Sequence, residues 1–243
     1  MDGKLYGIGV GPGDPEYLTI KALRLIKECD VIAVPGRSPQ DTVAYKIVDG
    51  IYPEIEKKEL LGIHMPMTKD KAVLKTSHEK GADRLCEELD RGKNVAFLTL
   101  GDPTIYSTYI YLHEEVKRKG YPVEIVSGIP SFCAAAAKLN MSIAMGAQQL
   151  HIIPAVYQVK EGLELSGTKV LMKAGRRLSE VKEQLETEQK LSDVKGQPKD
   201  CTEQVFMVEN CGMEEERICR GAEQMPETAG YYTLVIVKEE EWL

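Results

Sequence analysis

Two short turns, Gly11-Pro12-Gly13-Asp14-Pro15 and Gly101-Asp102-Pro103, constrain the fold of this chain more than any other feature. Each follows an apolar run of strand character, Leu5-Tyr6-Gly7-Ile8-Gly9-Val10 or Asn94-Val95-Ala96-Phe97-Leu98-Thr99-Leu100. Each is followed by residues of helical spacing. Glycine allows a positive φ or a close approach of backbone to a ligand, and proline stops the strand from extending. Two such turns at strand carboxyl ends place main-chain groups on one rim, where open α/β sheets bind ligands.

The rest of the chain carries the same alternation. Apolar residues recur at helical spacing from Thr19 to Cys29, and Asp30-Val31-Ile32-Ala33-Val34 reads as a strand stopped by Pro35-Gly36. Helical patterns follow over 41–50, 71–91 and 109–119, with strands over 57–63 and 123–126. Continuous apolar strands between helices predict a parallel sheet covered on both faces. Beyond an alanine-rich helix, Ser131 to Leu139, the texture changes. Four more strands are expected at 151–155, 168–172, 204–208 and 231–237, with a charged helix over 178–189 and a solvated loop over 190–200. The reading is two α/β domains, 1–129 with a mainly parallel sheet and 130–243 with a mixed one.

Composition excludes several classes of function. The six cysteines and four histidines are dispersed without a Cys-x-x-Cys pair, so neither a disulfide framework nor a metal site is expected. A net charge of −7 with no basic block argues against nucleic acid as a partner. No run approaches the roughly 20 apolar residues of a membrane span, and residues 1–6 lack the pattern of a secretory signal. A cytoplasmic location is the expectation. The glycines at 7, 9, 11 and 13 do not make a dinucleotide fingerprint, because the third required glycine would fall on Pro12 or Asp14. The nearest approach to a P-loop, Gly162 to Lys169, has its hydroxyl and lysine in the wrong order.

Four segments in order resemble the tetrapyrrole methylase family, S-adenosylmethionine-dependent enzymes that methylate corrin and sirohaem precursors. They are Gly9-Val10-Gly11-Pro12-Gly13-Asp14-Pro15 with Leu18-Thr19, Gly101-Asp102-Pro103-Thr104-Ile105-Tyr106, Val126-Ser127-Gly128-Ile129, and Met207-Val208-Glu209-Asn210. Most members have proline where this chain has Ser127. Residues 98–109, 129–136 and Met65-Pro66-Met67-Thr68-Lys69-Asp70 look most like the precorrin-2/cobalt-factor II C20-methyltransferases. Uroporphyrinogen methylases tend to carry a second glycine at the position of Leu100.

The resemblance implies S-adenosylmethionine, and its product S-adenosylhomocysteine, in a cleft between the two domains. The contacts it implies are Pro12, Leu100, Gly101, Asp102, Ile105, Pro130, Ser131, Lys173 and Phe206, with Tyr232 and Thr233 further candidates. It also implies a tetrapyrrole substrate and a homodimer. A carboxylate-rich substrate calls for cations, and Arg37, Arg176 and Arg177 stand just past strand ends. Each also reads as solvated surface charge. Tyr106, His151 and Glu209 are candidates to accept the departing proton, each with a structural alternative. Asp102 equally reads as a turn-capping aspartate bonded to its own backbone. Rival readings are methylation of another corrin carbon, of uroporphyrinogen III or of diphthamide on a protein. Non-catalytic rivals are a nucleotide-binding module and a purely structural α/β protein.

Overall fold

The computed structural model describes residues 3–155, 159–194 and 203–239. The chain divides into two compact units, the first ending at Ser131 and the second beginning at Phe132.

In the first unit the strands are β1 (Leu5–Gly9), β2 (Val31–Pro35), β3 (Glu59–Ile63), β4 (Val95–Thr99) and β5 (Val123–Val126). They alternate with helices α1 (Ile20–Glu28), α2 (Val43–Asp49), α3 (Lys71–Asp90) and α4 (Tyr109–Arg118). All pairings are parallel, in the order β3-β2-β4-β1-β5. Every residue of β4 is buried, which is why that segment reads as an unbroken apolar run. Its side chains alternate between two cores. Ala96 and Leu98 join Ile8, Leu25, Ile26 and Val48 beneath α1 and α2. Val95 and Phe97 join Leu85, Leu89, Leu112 and Val116 beneath α3 and α4.

The helices begin where capping side chains permit. Thr19 Oγ1 accepts from Ala22 N at 3.1 Å, and Asp70 Oδ1 accepts from Ala72 N at 2.8 Å and Val73 N at 3.2 Å. Each cap contributes about 1 kcal/mol by satisfying amide groups that have no intrahelical partner.

The second unit holds α5 (Ser131–Leu139, its first residue belonging to the first unit), β6 (Leu150–Pro154), α6 (Val159–Leu163), β7 (Thr168–Met172) and α7 (Leu178–Val194). The strands β8 (Glu203–Glu209), β9 (Arg217–Arg220) and β10 (Thr233–Glu239) complete it. The sheet order is β6-β7-β10-β8-β9, with β6 and β7 parallel and the other pairs antiparallel. A mixed second sheet is therefore present, as the sequence led us to expect. One face packs on α6 and α7 through Leu171, Met207, Val235, Leu163, Val181 and Leu185.

Some details differ from the sequence reading. The charged helix continues to Val194, past the expected end at 189, so part of the anticipated loop is helical. Residues 195–200 lie outside the described residues. Tyr231 and Tyr232 precede β10 rather than opening it, and β9 and α6 were not anticipated. Among the described residues no helix is long and apolar enough to cross a membrane.

Candidate active site

In the first unit the carboxyl ends of β1, β4 and β5 lie side by side, because β1 sits between the other two in the sheet. The turns that follow them therefore meet. Gly11 and Gly101 form an antiparallel bridge, with Gly101 N donating to Gly11 O at 2.8 Å and Gly11 N donating to Gly101 O at 3.3 Å. A Cβ on Gly9 would lie 2.5 Å from Gly101 O and 2.6 Å from Gly128 N. A Cβ on Gly128 would overlap Gly101 O and come within 2.7 Å of the Gly9 carbonyl carbon. Three backbones thus touch where no side chain fits, and Gly101 turns the chain with φ 70°.

Asp102 fastens this junction. The residue is buried, at 7% exposure, and its two carboxylate oxygens bond in different directions. Oδ1 accepts from Thr104 N at 2.7 Å and Thr104 Oγ1 at 2.5 Å, while Oδ2 accepts from Gly128 N at 3.0 Å. The Asx turn to Thr104 is the capping geometry weighed for this residue, and the bond to Gly128 joins the β4 and β5 turns. Pro12 is buried beside the same turn, and Leu100, Ile105, Pro130 and Ser131 are half-buried around it. Arg37 leaves the carboxyl end of β2, the neighbour of β4, and is exposed. Its backbone and that of Gly36 press on Gly62, whose Cβ would lie 2.8 Å from Arg37 O and 2.6 Å from Gly36 O.

The second unit has a rim of its own at the end of β7. Lys173 adopts φ 58° immediately after that strand, with Nζ 5.5 Å from the centre of the Tyr231 ring. Gly175 is buried, and a Cβ there would overlap Gly230 O. Thr233 opens β10 opposite Glu209, and its Oγ1 donates to Gly230 O at 2.8 Å. Glu209, 8% exposed, accepts from Gly230 N and from an Arg217 guanidinium nitrogen at 2.5 Å. Tyr232 O accepts from Asn210 N at 3.0 Å, and burial pushes the Tyr232 phenol up from its ordinary pKa. Lys173, Tyr232, Thr233 and Glu209 are thus brought to one end of this sheet. Phe206 lies three positions back along β8, under Arg220 at 5.8 Å.

Other candidates are placed elsewhere within their units. His151 lies on the edge strand β6 opposite Lys169, and its Nε2 is 3.0 Å from Ser166 O. Lys169 precedes Lys173 by four residues, roughly 13 Å along a strand, so His151 stands away from that rim. Arg177 grips Glu180 through Nε at 2.6 Å and a terminal nitrogen at 3.0 Å, and Arg176 is exposed. In the first unit, a groove of about 590 Å³ runs between Ile63, His64 and Pro66 and the Ala72, Thr76 and Lys80 face of α3. Strand β2 separates β3 from β4, so the groove includes none of the rim residues.

In the sequence Thr104 and Ser107 stand only as members of the matching segments, with no role attached to either. Ser107 Oγ lies 2.8 Å from Thr99 Oγ1 and accepts from Tyr109 N at 3.3 Å, closing the 99–107 loop at its base. A hydroxyl two residues after Asp102 was the legible signal for Thr104. Ser107 had none, because its partner is fixed by loop closure.

Parallel strands ending in interlocked peptide turns, followed in the chain by a mixed-sheet unit, define a two-unit α/β protein. The profile of the Tetrapyrrole (Corrin/Porphyrin) Methylases matches residues 4–225, and the chain belongs to that family. It is 37% identical over 171 residues to a probable cobalt-precorrin-2 C(20)-methyltransferase of Methanocaldococcus jannaschii, covering 70% of this chain and 72% of the relative. It is 36% identical over 179 residues to the cobalt-precorrin-2 C(20)-methyltransferase of Salmonella typhimurium, covering 71% and 73%. In structure it is similar to a uroporphyrin-III C-methyltransferase of Thermus thermophilus complexed with S-adenosyl homocysteine, with TM-score 0.67, 22% identity and 97% of both chains covered. The family expected from the four sequence segments and the two-unit α/β fold expected from the strand–helix alternation are both borne out.

Proposed function

We propose that this chain is an S-adenosylmethionine-dependent C-methyltransferase acting on the C20 meso carbon of precorrin-2, or of its cobalt-bearing counterpart, in cobalamin assembly. The observation that carries this reading is the identity of 36–37% to two relatives named for that same reaction, over more than 70% of each relative.

The residues present fit the methyl donor. The junction has no space for a Cβ at Gly9 or Gly128 and needs a positive φ at Gly101, so backbone rather than side chains forms its surface. Carbonyl oxygens orient a soft cation without attacking it. In the first unit, Pro12, Leu100, Gly101, Asp102, Ile105, Pro130 and Ser131 would hold the donor. In the second, Lys173, Phe206, Tyr232 and Thr233 would do so. When bound, S-adenosylmethionine supplies an electrophilic methyl group on its sulfonium. The acceptor carbon belongs to an electron-rich conjugated system, so the protein's part is to position it and exclude water. Arg37, Arg176 and Arg177 would meet the substrate's carboxylates.

A proton must leave the methylated carbon. Glu209 already bonds Gly230 and Arg217, and His151 lies beside Ser166 O, which supports solvent as the acceptor. Single-turnover rates of variants at Tyr106, His151 and Glu209 test this, and a lost chemical step in any one reinstates that residue. The family resemblance also supports a cytoplasmic homodimer as the working form.

The decisive experiment offers precorrin-2 with and without cobalt together with methyl-labelled donor. One added methyl located at C20 by carbon NMR is expected. A methyl at C11 or on a pyrrole-ring carbon would refute the assignment while leaving a methylase.

A further inference from the structure

We propose that Tyr106 is a substrate-contacting residue whose ring packs on the flat conjugated face of the tetrapyrrole. The inference rests on the methylase reading above and adds to it a specific contact. Tyr106 has φ 48°, in the left-handed region that an aromatic L-residue rarely enters. Four non-glycine residues have positive φ among the described residues: Tyr106, Asn140, Lys173 and Asn210. The two asparagines tolerate that conformation because a short amide side chain bonds locally. A tyrosine lacks that short amide, so its left-handed backbone must be held by its surroundings, and such outliers cluster at functional sites.

The holding groups stand on both sides. Upstream, Asp102 Oδ1 binds Thr104 N and Oγ1, and Ile105 N donates to Asp102 O at 3.3 Å. Downstream, Ser107 Oγ meets Thr99 Oγ1 at 2.8 Å and accepts from Tyr109 N. Tyr109 itself is fully buried, with its ring directly over Gly7, where a Cβ would overlap it. Its hydroxyl meets His113 Nδ1 at 3.1 Å. A rigid base thus carries a strained residue that is 47% exposed. Tyr106 lies in the loop after β4, four residues past the Asp102 that joins the β4 and β5 turns.

An exposed phenol presents a broad apolar face with a polar tip. Its chemical match at this rim is a planar π system such as a tetrapyrrole. Aromatic packing of this kind is worth about 2- to 12-fold in affinity. The contact needs the ring and not the hydroxyl, which separates it from a role in proton removal.

The test compares Tyr106→Gly and Tyr106→Phe by absorbance titration with precorrin-2, by steady-state kinetics and by thermal unfolding. Glycine accepts positive φ, so Tyr106→Gly is expected to unfold at or above the wild-type temperature. Its Kd and KM for the tetrapyrrole should rise roughly 2- to 12-fold, with KM for the methyl donor within twofold of wild type. Tyr106→Phe, which keeps the ring, should retain the wild-type Kd for the tetrapyrrole. Unchanged tetrapyrrole affinity in the glycine variant overturns the proposal. So does a phenylalanine variant that binds normally but loses the chemical step, or a parallel rise in both KM values. A wild-type chain that binds precorrin-2 without methylating it sinks the activity reading alone, and the Tyr106→Gly titration still decides the ring contact.

Discussion

Replacing Gly9 by alanine isolates the steric demand of the three-turn junction. Gly9 lacks the positive φ that the glycines at 11 and 101 require, so alanine there meets no backbone penalty, only a lack of space. Its Cβ would stand 2.5 Å from Gly101 O, 2.6 Å from Gly128 N and 2.8 Å from Gly128 Cα. Ordinary contacts to carbon need about 3.4 Å or more, so the β4 turn must retreat by about 0.9 Å and the β5 turn by about 0.8 Å. That movement loosens the Gly11–Gly101 pair and the Gly128 N to Asp102 Oδ2 bond of 3.0 Å. A strained core insertion costs about 1–3 kcal/mol, and a weakened hydrogen bond to a carboxylate adds about 1.5 kcal/mol. The sum is about 2.5–4.5 kcal/mol. For a unit of this size that lowers the unfolding temperature by roughly 10 °C.

Gly101→Ala is the matched contrast. Its nearest neighbour would be Ile129 O at 4.0 Å, so only the φ of 70° is penalised. The expected loss is about 1–2 kcal/mol. Differential scanning calorimetry orders the two variants, and titration with S-adenosylhomocysteine reports whether the rim still binds. A Gly9→Ala protein that unfolds within 2 °C of wild type and binds the ligand normally would refute the reasoning.

Three further outcomes are expected. Lys21 and Lys4, at 2.7 and 2.6 Å, hold the Glu124 carboxyl at about 2, below its ordinary 4.5. Its stabilisation is therefore complete above pH 4.5 and is lost as pH falls toward 2. Because the pair is partly exposed, the effect is about 1 kcal/mol after solvent screening. Urea titrations at pH 5.5 and 3 should show Glu124→Gln narrowing the acid loss, and an identical loss in both proteins would contradict the assignment. Glu209→Gln removes the charge from a buried acceptor that serves Gly230 N and Arg217, and should cost about 2 kcal/mol in denaturant unfolding. A neutral result there means the contacts are not formed in solution. Burial, aided by Asp30, pushes the Cys29 thiol up to about 12, and burial pushes Cys86 to about 11. Peptide mapping after maleimide treatment of the native protein at pH 8 should find both unmodified. Labelling of either before unfolding would count against the core packing described.

The sequence made the strands legible where burial is two-sided. β1, β2 and β4 are continuous apolar runs because each lies inside a parallel sheet with helices over both faces. Strand β9 escaped notice for the opposite reason. It is the four-residue edge Arg217–Arg220, pairs only with β8, and buries only Cys219. The glycine turns were visible one at a time, but their convergence was not. Gly9, Gly101 and Gly128 touch only because β1 lies between β4 and β5, and strand order leaves no trace in local pattern. The left-handed conformations of Tyr106 and Lys173 were hidden for a similar reason, since neither residue type signals them. His151 looked chemically apt, yet its register opposite Lys169 places it away from the end of β7.

A ligand surface assembled from peptide groups has an odd genetic signature. Trimming side chains to alanine, the usual way of finding where a protein does its work, leaves amides and carbonyls untouched. Such a survey would pass over the junction at positions 9, 101 and 128, where the sensitive change is the addition of a single methyl group. Asp102, whose carboxylate ties Gly128 N to the β4 turn, is an exception that trimming would reveal.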